Sequence, residues 1–149
     1  ISETFLNSSS YLKENERQDV AAIVLVGGWV EGLYLATKLV GDMSIENNKL
    51  VDRILEQKLS FNIVQRMLDD NKLKTDGSEN KDIAQLINDL QALKTAFDKV
   101  KVETTESQAI DQKDTKVTTI KSQTTVSVTP QDFKQIQLVV DNLRTNFIQ

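Results

Sequence analysis

The chain has no cysteine and no histidine among its 149 residues, and it contains only one proline and five glycines. Without cysteine there are no disulfides, no thiolate metal sites and no cysteine nucleophiles. Without histidine there is no imidazole acid or base, and most zinc sites and the Glu-x-x-His ligand pairs of di-iron bundles are excluded as well. The sequence therefore predicts a protein that is not an enzyme and that has no catalytic residues, no metal site and no cofactor.

The net charge of the chain is −4 and its pI is near 4.9. Its lysines and arginines are scattered, whereas a nucleic-acid surface needs them clustered on one face, so no nucleic-acid partner is expected. The length fits one domain, which we assign to residues 1–149. Because the chain begins with isoleucine rather than methionine, we expect that an upstream segment was removed by processing or cloning, and export stays open.

Three segments have the apolar periodicity of amphipathic helices, which predicts helices over residues 44–73, 78–102 and 130–148. In each segment, apolar side chains recur at steps of three or four residues with polar side chains between them. The predicted core positions are Leu50, Ile54, Phe61, Val64 and Leu68, then Ile83, Leu86, Leu90, Leu93, Phe97 and Val100, and finally Phe133, Ile136, Val140, Leu143 and Phe147.

The start of the last helix is well marked. Thr129 can cap the helix, Pro130 occupies the first helical position, where a missing N–H costs nothing, and Asp132 carries a favourable charge in the first turn. The triplet Asp76-Gly77-Ser78 predicts a short turn between the two preceding helices, which makes them antiparallel neighbours.

Residues 103–128 are polar and have no helical stripe, and they fit two structures equally well. They could form a short β-hairpin across residues 121–123, because apolar or β-branched residues alternate there, or they could form a polar crossover loop. The residues of the alternating pattern are Val117, Ile120, Thr124, Val126 and Val128. Either structure joins the third helix to the last, and a short lead-in precedes the first helix.

The first helix, predicted over residues 16–41, is unusually apolar. Between residues 20 and 40 only Glu31 and Lys38 are charged, and the first half is apolar on every side, which is typical of a helix surrounded by protein or lipid. A glutamate in the middle of a bilayer costs on the order of 3 kcal/mol, which disfavours lipid. We therefore expect a central helix enclosed by the other three.

Glycines interrupt this apolar helix. Gly27, Gly28 and Gly32 each cost about 1 kcal/mol relative to alanine in a helix interior. Gly28, Gly32 and Ala36 share one face, which predicts the close approach of another helix with Phe61 or Phe97 packed above that face. Gly41 is placed to end the helix in a left-handed cap.

Glu31 is predicted to emerge among small or apolar neighbours, where a carboxylate must be paired or protonated. Arg53 and Arg144 each flank the apolar stripe of their own helix, and either one could be its partner. Two interpretations stay open: a structural role, as an internal ion pair or a carboxylate at the solvent edge, or a ligand-contacting acid beside Trp29 and Tyr34. These residues form the candidate ligand or ion-pair cluster, Trp29, Glu31, Tyr34, Arg53 and Arg144.

Two stretches, GGWVEGLYLAT and VTPQDFKQIQLVVDNLRTNF, resemble segments of small uncharacterised helical proteins that Bacteroidota-type bacteria export as lipoproteins. The resemblance covers about a third of the chain. It implies a helix bundle on the periplasmic side of the envelope, tethered through a lipidated cysteine upstream of Ile1. It implies no activity and no functional residues, because none is assigned to such proteins.

The sequence thus predicts an all-α protein, a four-helix bundle with a short N-terminal lead-in and a long polar crossover before the last helix. The expected function is that of a non-enzymatic structural or protein-interaction bundle of the bacterial cell envelope, which binds a protein partner or a second copy of itself. The alternative is a bundle that binds a small ligand at an internal site near Glu31.

Overall fold

The computed structural model describes residues 17–74, 76–105, 109–112, 117–120 and 123–148. The lead-in predicted for the N-terminus lies outside these residues. The helices are α1 (Gln18–Val40), α2 (Lys49–Asp70), α3 (Lys81–Asp89), α4 (Gln91–Asp98) and α5 (Pro130–Phe147), and the strands are β1 (Lys101–Thr105), β2 (Ala109–Gln112), β3 (Val117–Ile120) and β4 (Gln123–Ser127). The predicted all-α bundle with a long crossover before the last helix is confirmed.

The third helix of the bundle consists of α3 and α4, which meet at Leu90. The backbone of Leu90 stays in the right-handed helical region, with φ −76° and ψ −9°. Its N–H donates to Leu86 O at 3.1 Å, and its carbonyl accepts from Lys94 N at 3.0 Å. Because these bonds keep the four-residue spacing of an α-helix, the two segments continue one another as a single arm of the bundle.

Each arm of the bundle runs antiparallel to the arm before it, and α5 also runs antiparallel to α1. Residues 71–80 connect the last residue of α2 to the first residue of α3. Lys58, in the middle of α2, donates to Val100 O at 2.6 Å, just after α4 ends. Lys99, after α4, pairs with Asp132 in the first turn of α5 at 3.0 Å. Gln137, early in α5, donates to Gly41 O at 2.9 Å just after α1 ends. The helices therefore form an up-down-up-down bundle.

Asparagine caps place two helix starts later than residues 44 and 78. The side chain of Asn48 accepts from Leu50 N at 3.0 Å, so α2 begins at Lys49, whereas the Ser44 hydroxyl closes a local turn by accepting from Glu46 N. Asn80 is buried and accepts from Ile83 N at 3.3 Å, so α3 begins at Lys81. Both side chains satisfy amide donors that a helix leaves free in its first turn.

The crossover contains a hairpin, but its pairing differs from the predicted one. The predicted hairpin joined the segments that form β3 and β4 across residues 121–123, whereas β4 pairs with β1 and β3 pairs with β2, both antiparallel. Lys101 lies opposite Ser127, so the chain leaves the end of α4 and returns to the same end of the bundle. The prediction was wrong because it considered only nearby residues, while the partner strands are contributed by the segment just after α4.

The predicted core stripes are confirmed. All six apolar positions assigned to the third helix are buried, as are most of those in α2 and α5, while Leu50 and Phe147 are partly buried. The two buried polar side chains among the described residues, Thr37 and Asn80, both form hydrogen bonds. The core is therefore apolar and its polar groups are satisfied.

The prediction that α1 is enclosed on all sides is wrong. Its buried residues lie on the side that packs against α2 and α5, and the Trp29 flank is partly covered by α2. On the opposite side Leu35 is 53 % exposed and Leu39 is 67 % exposed. An apolar composition on every side of a helix shows that the helix has few charged residues, but it does not show which neighbour covers each face.

The glycines of α1 do not admit a neighbouring helix of this bundle. A Cβ atom built at Gly27, Gly28 or Gly32 would meet no other atom within 4 Å in the described part of the chain. Phe61 packs on Trp29 instead, with ring centroids 5.8 Å apart. The predicted close approach is therefore wrong, and close packing inside the bundle does not offset the cost of about 1 kcal/mol per glycine. Gly41 does end α1, with φ 51°, although its ψ of −124° lies outside the left-handed helical region.

Replacing Thr129 by alanine should destabilise the protein by about 1 kcal/mol, because its hydroxyl accepts from Asp132 N at 3.1 Å and caps α5. Urea unfolding followed by circular dichroism would measure the change. Thr129→Ser keeps the hydroxyl and should retain most of the stability. Equal losses in the two variants would show that the methyl group, rather than the cap, stabilises this helix start.

Candidate functional site

Glu31 is paired with Arg144, one of the two arginines that the sequence offered. Arg144 Nε lies 3.1 Å from Glu31 Oε2, and the guanidinium carbon lies 4.6 Å from the centre of the Tyr34 ring. The hydrogen bond that Arg144 donates to Glu31 raises the pKa of Arg144 above its usual range. The side chains of Glu31 and Arg144 are 43 % and 32 % exposed, so the pair lies at the edge of the bundle and not in its core.

A second ion pair lies one to two turns further along the same seam between α1 and α5. Lys38 Nζ is 2.7 Å from Asp141 Oδ1 and 5.3 Å from the centre of the Tyr34 ring. The hydrogen bond to Asp141 raises the pKa of Lys38. Tyr34 therefore lies between two cations, each held by its own carboxylate, and the four charges balance along this seam.

The other two members of the predicted cluster lie elsewhere. Arg53 pairs with Glu56 at 2.8 Å on α2, and the Trp29 indole donates to Gln57 Oε1 at 3.0 Å. Both line a shallow groove of about 290 Å³ between α1 and α2. The predicted five-residue cluster thus divides between two seams of α1, because Trp29 and Glu31 are two residues apart and point to different sides of the helix.

Trp29 belongs to an aromatic row inside the bundle. Its ring is followed by Phe61, and Phe61 lies 5.9 Å from Phe97. The hydrogen bond from the Trp29 indole explains why a polar residue, Gln57, occupies a position in the apolar stripe of α2. Trp29 is therefore a packing residue with a satisfied N–H, and this arrangement leaves it no need of a ligand.

A larger cleft opens beside the Glu31–Arg144 pair, between α1, α3 and α5. Its volume is about 490 Å³, which falls in the range of small-molecule sites. Gly27 and Val30 of α1, Leu86 of α3 and Phe147 of α5 form much of its apolar lining. Two acids of α3, which the sequence analysis did not single out, stand at its edge: Asp82 and Asp89.

The exposed side of α1 carries an uncharged row that we call the outer strip. It consists of Val24, Gly28, Gly32, Leu35 and Leu39, all of them exposed. These residues recur at steps of three or four, so they lie on one face. Gly28 and Gly32 were predicted from the sequence to face inward, toward another helix of the bundle.

Within the described ranges, no three acidic side chains come together as a metal ion would require. Helix α1 is long and apolar enough to cross a bilayer, with 23 residues and a mean hydropathy of 1.7 over its most apolar window. The core helix of a soluble bundle meets the same criterion, and here α1 packs along α2 and α5.

No family model, no curated protein and no solved structure matches the chain. The resemblance to exported lipoproteins therefore stays a prediction from two short stretches of sequence.

Replacing Glu31 by glutamine should lower the thermal midpoint, because Arg144 would lose its charged partner at the edge of the bundle. In a cycle of Glu31→Gln, Arg144→Gln and the double variant, the two changes should be less than additive, and the coupling should shrink in 1 M salt. Glu46→Gln, at an exposed position outside the seam, is the control. An unchanged midpoint in Glu31→Gln would mean that the pair does not contribute to stability.

Replacing Phe61 by alanine should cost about 3–5 kcal/mol and shift the native emission of Trp29, the single tryptophan, to longer wavelength. The reason is that Phe61 shields the indole from water. Phe133→Ala removes an equally buried ring from α5 and should cost a similar amount without the shift. Fluorescence spectra and urea unfolding of the two variants would compare them, and equal shifts would contradict the packing described for Trp29.

Proposed function

We propose that this protein is a non-enzymatic interaction bundle, that its binding surface is the outer strip of α1, and that the partner is a second copy of the same chain. The observation that carries the proposal is the exposure of a continuous apolar face on the most apolar helix of the bundle. Single exposed apolar residues are ordinary, but a contiguous row of them usually marks a contact surface.

The pattern of the outer strip is complementary to itself. If two copies of α1 cross antiparallel about a twofold axis between Glu31 and Gly32, the paired residue numbers add to 63. Leu35 of each copy then lies opposite Gly28 of the other, and Leu39 lies opposite Val24. A large side chain thus meets a glycine at two symmetrical places, which supports an interface made of the same patch on both copies.

The surroundings of the strip also suit such a contact. The charged pairs Glu31–Arg144 and Lys38–Asp141 lie along one edge of the strip, where they would form a polar rim. From Val24 to Leu39 the strip is about 22 Å long at 1.5 Å per residue. One helix face of this length offers less than the roughly 800 Å² per partner of a standard interface, so we expect a reversible dimer that forms at micromolar concentration or above.

Sedimentation velocity over a range of concentrations would test the dimer. The wild-type protein should show a sedimentation coefficient that rises with concentration, and Leu35→Glu should abolish the rise because it places a carboxylate opposite Gly28 in both halves of the contact. Ile63→Glu is the matched control, because Ile63 is 70 % exposed but lies on α2, outside the strip.

Gly28→Leu separates the dimer from the fold. The new side chain has open space in the described bundle, so the monomer should be stabilised by up to about 1 kcal/mol through helix propensity. In the dimer the same side chain would collide with Leu35 of the second copy. A wild-type coefficient that does not change with concentration, or a dimer that survives both strip variants, would refute the proposal.

The cleft beside Glu31 supports a second candidate function, the binding of a small ligand. It has the volume of a small-molecule site, a largely apolar lining and charged groups at its edge. The expected tether to the bacterial envelope, through a lipid anchor upstream of Ile1, stays a prediction from the resemblance.

A further inference from the structure

The lining of the cleft between α1, α3 and α5 is apolar at its base and charged at its edge. Val30 and Leu86 are buried, and Phe147 is half-buried. Gly27 leaves open space there, because a Cβ atom at this position would meet no other described atom within 4 Å. An apolar group of a ligand could therefore lie over Gly27 and be removed from water on contact with these side chains.

The charges at the edge of the cleft do not balance. Three carboxylates line it, from Glu31, Asp82 and Asp89, against one guanidinium, from Arg144, which leaves two negative charges. Glu31 and Arg144 are already joined at 3.1 Å. Asp82 and Asp89 take part in no ion pair among the described residues; Asp89 accepts one hydrogen bond, from Gln85 Nε2 at 2.8 Å. The surplus charge therefore lies on the α3 side of the cleft.

From this charge and this lining we propose that the cleft binds a small amphiphilic organic cation, an inference that rests on the second candidate function above. The apolar body of the ligand lies over Gly27, and its cationic head lies at one of the two carboxylates of α3. Asp82 and Asp89 are two helical turns apart, about 10 Å, with Leu86 between them. The head group therefore has a carboxylate available on either side of the apolar contact with Leu86. An anion would face all three acids, and Arg144 is already held by Glu31 and Tyr34.

Three probes with the same eight-carbon chain would test the charge preference: octylammonium, octan-1-ol and octanoate. Binding would be followed by changes in amide chemical shifts in two-dimensional NMR spectra. Octylammonium should bind saturably with the largest changes in α1, α3 and α5 around the cleft, octan-1-ol should bind more weakly, and octanoate should bind most weakly. If octan-1-ol bound as tightly as octylammonium, the cleft would still be a ligand site, but the proposed preference for a cation would be refuted. The absence of saturable binding by any probe would refute the cation and the ligand-binding function together.

Neutralising the two acids of α3 tests whether they hold the head group. In Asp82→Asn/Asp89→Asn, the affinity for octylammonium should fall by roughly three- to thirtyfold and approach that for octan-1-ol, since exposed charge pairs contribute modestly. Asp42→Asn/Glu46→Gln makes the same change in net charge at two exposed positions between α1 and α2, at the opposite end of the bundle, and should leave the affinity unchanged. Equal losses in the two double variants would show that only the overall charge matters and would overturn the proposed site.

Gly27→Leu tests the position of the apolar body. The new side chain should fill the cleft and abolish the binding of octylammonium, while circular dichroism shows the fold intact. Gly28→Leu, one residue away, points to the outer strip and should leave octylammonium binding unchanged while it removes the dimer. The two glycine variants therefore separate the cleft from the dimer, and octylammonium binding that persists in Gly27→Leu would place the ligand elsewhere.

Discussion

Phe61 joins three helices of this bundle through one side chain. It projects from the middle of α2, and its ring lies 5.8 Å from Trp29 on α1 and 5.9 Å from Phe97 on α4. Because one rigid ring contacts both neighbours, the position of α1 along α2 is linked to the position of α4 along α2. Gln57, one turn earlier, fixes the orientation of the indole through its hydrogen bond. The seams on either side of α2 are therefore linked through one aromatic ring and one polar bond.

Helix α5 closes the bundle from the other side, and the crossover determines the direction in which α5 runs. Since β1 pairs with β4, the chain returns to the end of α4 from which it left, and α5 must run back along the bundle. The Lys99–Asp132 pair marks the start of this return and the Glu31–Arg144 pair marks its far part. The partner of Glu31 is thus determined by strand pairing more than 15 residues away from Arg144, and not by any local property of either residue.

This explains which features could be predicted from sequence. The apolar stripes of α2, α3 and α4, and α5 were predictable because helical spacing is a local property, and the start of α5 was predictable because Thr129 and Pro130 act within one turn. The starts of α2 and α3 were missed because serine and asparagine are both good caps, and only the backbone path selects Asn48 over Ser44. The choice between Arg53 and Arg144 depended on which helix lies beside Glu31, which no local pattern contains.

The direction in which the glycines face was the main error, and its physical reason bears on function. Apolar residues on all sides of α1 predict that protein of the same chain covers all sides, yet the described helices cover only the sides of α1 that face α2, α3 and α5. At Gly27, Gly28 and Gly32, alanine would raise helix propensity by about 1 kcal/mol each and would meet no neighbour in the described bundle. The described part of the chain therefore gives no reason for glycine at these positions. What glycine provides there is a hollow: over Gly27 in the cleft, and over Gly28 and Gly32 on the outer strip. A hollow on an apolar surface contributes free energy only when a ligand or another chain fills it. The glycines of α1 are therefore explained by contacts made outside the bundle.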